Sequence, residues 1–286
     1  MSKMQSEGSQ LSRDSFSEID ISSPLCKPIL AYPGHDASDI SGRISELKSL
    51  GVRSLVSGGR TSIGRFRVCG KGCVGLVVMA VVQSGPESAV CALKVRRTDA
   101  DRINMHDEAR LHGIANAACV GPQLRGCTDN FLLMDFVKGS TIMEWSQGTV
   151  KPDSARRIAK SILVQCRKLD KAGIDHGELS RLDRHVIIPT QSAGTDHVEP
   201  VIIDFESSST VRRPANVSAA AQALFVGGRQ FIRKKMSPHA SKRLDDARTQ
   251  EAIAAIRAYK KDLTDENFER VLDVLLGGTQ DACAPS

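Results

Sequence analysis

The sequence predicts an α+β fold, and two observations carry that expectation. Between residues 51 and 97, short segments rich in β-branched residues are broken by glycines. From Pro152 onward, apolar residues recur at helical spacing instead. A β-rich stretch of roughly 80 residues is thus followed by a helix-rich half, and no internal repeat joins them.

The length of 286 residues suits one large domain or two small ones. With 41% hydrophobic and 25% charged residues, the chain has the composition of a soluble globular protein with a substantial core. The longest nearly unbroken apolar run, Cys73–Val82, is about half of what a bilayer requires, so no membrane span is expected. The N-terminus has no apolar h-region, which argues against a secretory signal. Cysteines 26, 69, 73, 91, 119, 127, 166 and 283 include no CxxC pair, which points to reduced thiols and a cytoplasmic location. Aromatics at 4% weaken any scheme built on rows of base-stacking side chains.

Residues 1–37, polar and serine-rich, read as a disordered tail. Ile40, Ile44, Leu47 and Leu50 then recur at helical spacing, with Ser38 as N-cap and Gly51 just past the end. VRSLVSGG, SIGRFRVCGKG, VGLVVMAVV and SAVCALKVRR read as hairpin-connected antiparallel strands. ADRINMHDEARLHGIANAA reads as a helix broken by Gly121-Pro122, and strands follow around QLRGCTDNFLLMDFV. Residues 152–172 form a helix with Ile158, Ile162, Cys166 and Leu169 on one stripe, ended by Gly173. Short strands are expected in the segments DHGELSRLDRHVIIP and EPVIIDFE. Helices then follow, one capped by Asn216, one over 249–261 and one capped by Thr264.

The segment Gly70-Lys71-Gly72-Cys73-Val74-Gly75-Leu76-Val77 is a GxGxxGxV pattern. A dinucleotide site needs a helix opening at such a loop. Here an apolar strand follows, so the glycines read as a loop between two strands whose backbone N–H groups can approach phosphates closely. Nineteen residues after Gly75 comes Ala92-Leu93-Lys94, inside a β-branched segment. A lysine there needs an anionic partner to stay charged, and Glu108 on the next helix is better placed for this than Asp107 or Glu144.

Taken in order, these motifs resemble the bilobal protein-kinase-like fold. GKGCVGLV resembles the nucleotide-covering loop and CALK the third-strand lysine motif. LLMDFVKG resembles the hinge, His176-Gly177-Glu178-Leu179-Ser180 the catalytic loop of atypical kinases, and Ile202-Ile203-Asp204-Phe205-Glu206 the metal-binding DFG segment. The likeness runs from about Leu50 to Phe225 and is nearest to the small atypical kinases of the RIO type and to predicted archaeal Ser/Thr protein kinases.

The resemblance implies an N-lobe (38–134) with an antiparallel sheet and one helix, a helical C-lobe (135–286) and an abbreviated activation segment. It implies ATP and Mg2+ as cofactors. ATP contacts would come from Gly70, Lys71, Gly72, Gly75, Val77, Ala92, Lys94 and Glu108, with Met134, Asp135 and Val137 at the adenine side. Lys94 would clamp phosphate oxygens, Asp204 would hold Mg2+, and Glu178 would orient the acceptor hydroxyl and receive its proton. His176 would brace the loop. The second metal-side residue is Asp183 by spacing from Glu178 or His185 by its flanking strand, with Asp183 the better oxygen donor for Mg2+.

Two departures stand out. Glu178 replaces the usual aspartate, and Glu206 replaces the glycine of DFG. The acceptor implied is a protein Ser or Thr. The alternatives are a small alcohol, as in choline-type and aminoglycoside-type kinases, and a nucleotide-binding pseudokinase or ATPase-type accessory subunit. Finally, the net charge of +6 is unevenly spread. Residues 229–261 hold ten basic and three acidic side chains, either a solvated helical face or a docking patch for RNA or another acidic partner.

Overall fold

The computed structural model describes residues 17–34, 39–85, 87–190, 198–226, 232–236 and 242–277, an α+β chain with a mostly antiparallel sheet. It divides into two compact units: Met1–Asn104 with Gly126–Leu133, and Met105–Arg125 with Met134–Ser286.

The first unit opens with β1 (Ser17–Asp20), a turn of 3-10 helix and α1 (Lys27–Leu30). These fall in the stretch that the sequence presents as a tail, and the difference has a simple cause. β1 needs only main-chain pairing with β2 (Ser17↔Ser57), while Cys26, Ile29 and Leu30 add a small apolar face that is fully buried. Residues 1–16 and 35–38 lie outside the described residues, Ser38 among them. The cap of α2 (Ile40–Ser49) is Asp39, whose carboxylate accepts the Gly42 N–H at 2.9 Å, and Gly51 closes the helix at φ +73.

β2 (Val52–Ser57), the small hairpin of β3 (Thr61–Ile63) and β4 (Phe66–Val68), then β5 (Gly70–Lys71), β6 (Gly75–Ser84) and β7 (Glu87–Arg96) follow. The chain continues into α3 (His106–Ala117), which belongs to the second unit. β8 (Leu124–Cys127) and β9 (Phe131–Asp135) run across the division. The sheet order is β1-β2-β6-β7-β9-β8, with β5 on β6. Leu47, Leu55, Leu76, Val78, Leu93 and Phe131 pack in its core.

One buried cation ties this unit together. Arg43 on α2 donates to the carbonyls of Leu30 (2.8 Å) and Arg96 (2.9 Å) and to Asn130 Oδ1 (2.8 Å), and Asn130 in turn donates to Glu46. A guanidinium suits this position because its fork reaches several acceptors from a fixed plane.

The second unit adds β10 (Gly139–Thr141), α4 (Ile142–Gln147) and α5 (Pro152–Lys171), then a 3-10 turn (Leu179–Arg181) and α6 (Leu182–His185). β11 (Val186–Pro189), β12 (Val201–Ile202), α7 (Asn216–Ala221), α8 (Arg233–Met236), α9 (Lys242–Lys261) and α10 (Asp265–Leu276) complete it. The α5 stripe Ile158, Ile162, Cys166 and Leu169 is buried as its spacing predicts. Gly173 ends α5 at φ +71, with Ile174 N–H returning to Leu169 O (3.1 Å). Thr264 Oγ1 caps α10 through the Asn267 N–H, as expected. α9 begins at Lys242 rather than 249.

Two helix ends differ from expectation. α3 starts at His106, six residues later than the expected segment, and ends before Gly121-Pro122 as expected, where Cys119 turns left-handed (φ 56) and Val120 N–H returns to Ala115 O. Asn216 is the first residue of α7 and does not cap it; the carboxylate of Asp170 accepts the N–H groups of Asn216 (2.9 Å) and Val217 (3.2 Å). Among the described residues, no helix is long and apolar enough to cross a membrane.

Candidate functional site

In the first unit the glycine motif forms the β5–β6 hairpin. Gly70 faces Val77, Lys71 faces Leu76, and Gly72 N–H donates to Gly75 O at 2.8 Å, leaving Cys73 and Val74 at the tip. A strand follows, so the geometry of a dinucleotide fingerprint is absent at this loop. Lys94 lies on β7 opposite Val77 and is only 4% exposed, while Ala92 is buried on the same strand. A Cβ on Gly75 would meet Lys94 Cγ at 3.1 Å and Val95 O at 2.9 Å, so the lysine stem occupies the room this glycine leaves. Lys71 Nζ lies 5.2 Å from the centre of the Tyr32 ring.

Glu108 belongs to the second unit, where it is buried in the first turn of α3. Met134, Asp135 and Val137 are half-buried there. The Asp135 N–H donates to Gln123 O (2.9 Å), and its carboxylate pairs with Arg125 (2.6 Å). Glu144, a weaker candidate for Lys94, closes a capping box with Thr141 at the start of α4.

The chemically richest cluster lies wholly in the second unit. Glu178, His185 and Asp204 each offer a ligand atom, and these atoms fall within 4.8 Å of one another. Each is delivered by a different local device. After α5, Asp175 pairs with Ser209 through both main-chain groups, and Gly177 turns left-handed at φ +87. Leu179 and Leu182 then sink into the core, which leaves Glu178 half-exposed above them. α6 ends at His185, which is 4% exposed.

β11 and β12 pair antiparallel, Val186 with Ile202, and so bring Asp204 back beside His185. Both main-chain groups of Ile203 are taken: its N–H by His185 O (2.9 Å), and its carbonyl by His176 Nε2 (3.1 Å). Phe205 is buried against the rings of His112 and His176, with centroids 4.9 and 5.3 Å away. Fixed on both sides, Asp204 adopts φ +70, a conformation uncommon outside glycine that aspartate tolerates better than most residues.

The distances within the cluster are unequal. His185 Nε2 lies 3.0 Å from Glu178 Oε2, hydrogen-bond distance. His185 Nδ1 lies 3.9 Å from Asp204 Oδ2, too far for one, and no described residue gives that buried nitrogen a hydrogen-bond partner. His176 is fully buried. Desolvation first, and the neighbouring His185 second, push its pKa down to about 4, so it stands neutral and braces the loop.

Asp183, the residue that spacing favoured for the metal side, sits half-buried in the first turn of α6, outside the gathered cluster. His185, singled out by its flanking strand, is inside it. Hidden from the sequence reading were Asp170 and the part Asn216 plays, which together hold the loop. Asn216 Oδ1 accepts the His176 N–H at 2.8 Å, and Tyr259 OH donates to Asp170 Oδ2 at 2.8 Å. Asp170 carried a signal: it is four residues past Cys166 on the buried stripe, where a carboxylate must find donors.

Elsewhere in this unit a groove of about 1090 Å3 is lined by Trp145, Arg157, Lys160 and Lys168 among others, and it contains none of the three cluster residues. Of the basic residues between 229 and 261, Arg257, Lys260 and Lys261 are exposed, whereas Arg229 lies outside the described residues. No family model matches this chain, and no curated protein matches it.

Proposed function

We propose that this protein is an ATP- and Mg2+-dependent kinase that transfers the γ-phosphoryl group to Ser or Thr hydroxyls of a protein. The observation that carries this is the approach of Glu178 and Asp204 to His185, since the two carboxylates come from separate motifs. Mg2+, when bound, would supply charge neutralisation at the phosphate oxygens. Asp204 supplies the hard oxygen donor such an ion prefers; the His185 nitrogen beside it suits Mg2+ poorly.

In this scheme Lys94, seated over Gly75, clamps phosphate oxygens, and Gly70, Gly72 and Gly75 let backbone approach them. Glu178 takes the proton of the acceptor hydroxyl through the oxygen not engaged by His185. The acceptor oxygen bonds to the γ-phosphorus as the bridging bond to ADP breaks.

Labelled ATP with the full-length protein tests the proposal. Phosphate incorporation should fall at least about 100-fold in Lys94→Ala and Asp204→Ala, and Glu178→Asp should retain activity. No Mg-ATP binding by calorimetry, with no effect of Lys94→Ala, would sink it. The engagement of Glu178 by His185 favours a second reading, a nucleotide-binding pseudokinase subunit. Tight ATP binding without transfer, even in Glu178→Asp, would select it.

A further inference from the structure

We propose that Glu178, His185 and Asp204 form a carboxylate–histidine–metal relay whose ion is a first-row transition dication, of the Mn2+, Co2+ or Zn2+ class, taken in preference to Mg2+. It rests on reading this cluster as the metal side of the site, and it changes which ion and which atoms are involved.

The tautomer of His185 follows from its neighbours. Nε2 lies 3.0 Å from Glu178 Oε2, so the ring proton sits on Nε2 and is donated to that carboxylate. Nδ1 then presents a lone pair. It is buried without a hydrogen-bond partner among the described residues, and it faces Asp204 Oδ2 at 3.9 Å. Nδ1 and the carboxylate oxygen it faces are both acceptors, so no proton is shared between them, and a cation placed between them would satisfy the buried nitrogen.

The separation suits an ion. With metal–nitrogen and metal–oxygen bonds of about 2.1 Å, two ligand atoms lie about 3.0 Å apart at a right angle and about 4.2 Å apart when opposed. The observed 3.9 Å falls between these limits. Glu178 becomes the outer carboxylate that orients the imidazole and raises its basicity, the arrangement that accompanies histidine ligands generally. Its remaining oxygen stays available for an acceptor, so the relay is compatible with phosphoryl transfer.

The choice of ion follows from donor type. Imidazole nitrogen suits borderline transition ions, whereas Mg2+ demands oxygen and dehydrates reluctantly.

The test uses the full-length protein without nucleotide, so its outcome is independent of whether the chain transfers phosphate. Calorimetric titration with Co2+, Zn2+ and Mg2+ should show transition ions bound at least about 100-fold more tightly than Mg2+. His185→Asn should remove most of that preference. Glu178→Gln, with the ligands intact, should weaken Co2+ binding by about 10- to 100-fold. Because His185 is buried, histidine nitrogen NMR of the unmodified protein provides a second measurement. Zn2+ should shift the Nδ1 resonance of His185 while Nε2 keeps its proton. Equal affinity for Mg2+ and Co2+, a preference unchanged in folded His185→Asn, or a Zn2+ shift at Nε2 would each overturn the relay. Phosphate transfer that persists with Mg2+ alone in any of those cases would leave the kinase proposal standing.

Discussion

Asn216 stands between Asp170 and His176, donating from Nδ2 to Asp170 Oδ1 at 2.8 Å and accepting the main-chain N–H of His176 through Oδ1 at 2.8 Å. The start of α7 and the seat of the loop that carries Glu178 are therefore held by one side chain. Its Nδ2 also donates to Ile174 O (2.7 Å), so all of its hydrogen-bonding groups face inward. Asn216→Ala would orphan a buried N–H and a buried carbonyl and remove a donor from a buried carboxylate. A loss of about 2–4 kcal/mol is expected in urea unfolding. A loss below about 0.5 kcal/mol, the size of an ordinary surface change, would mean that the loop is held some other way.

Asp265, at the start of α10, pairs with Lys171 and with Arg167, and these partners hold its carboxyl below the ordinary range. A depressed carboxyl pKa contributes stability that is present above the unfolded value of 3.8 and is lost as pH falls through the folded value. Urea unfolding of the parent chain should therefore lose stability below about pH 4 more steeply than Asp265→Asn. Identical acid limbs in the two proteins would contradict this. Because the carboxylate is solvent-exposed, the effect should shrink in high salt.

Gly177 has φ +87, and a Cβ there would lie 2.7 Å from Ser207 O and 2.6 Å from Arg212 Nη2. Arg212 could swing aside only by giving up its bonds to Asp175 and Ser207 O, and the Ser207 carbonyl is backbone two residues before Ser209, which pairs with Asp175. Gly177→Ala should cost about 1–3 kcal/mol and move Glu178, the next residue. Chemical denaturation reads the first effect, and loss of Co2+ affinity reads the second. An alanine variant matching the parent in both would show that the loop relaxes freely.

The thiols should separate into two classes. Cys73 and Cys119 are exposed, whereas Cys26 and Cys166 are buried, and desolvation pushes the Cys26 pKa up to about 11 and that of Cys166 well up. Maleimide labelling of the folded chain should reach the first pair and spare the second until denaturant is added. Mass spectrometry of the labelled peptides checks this, and early labelling of Cys166 would contradict the packing of α5. Cys119 also occupies a left-handed position at φ 56, so Cys119→Gly should raise stability by about 1 kcal/mol.

Much of the fold was legible in the sequence because its cues are local. The α5 stripe, the Gly51, Gly173 and Thr264 signals, and the strand that follows Gly75 each state a requirement of nearby backbone. Illegible features depend on residues far apart in the chain. Asp170 starts a helix 46 residues later, and Arg43 collects carbonyls from Leu30 and Arg96. β1 escaped notice because pairing with β2 asks little of its own side chains. Within the cluster, Glu178 and Asp204 were visible as motif residues, and His185 was visible only through the strand behind it.

The short β11–β12 pairing has a wider consequence. His185 and Asp204 are 19 positions apart in the chain, yet their separation in space is fixed by two residue pairs, Val186↔Ile202 and Ile187↔Val201. The connection between those strands can lengthen or shorten at small entropic cost without disturbing the cluster. A pattern meant to recognise this site in distant sequences should therefore specify a histidine entering one strand and an aspartate leaving its partner, with the gap between them left open.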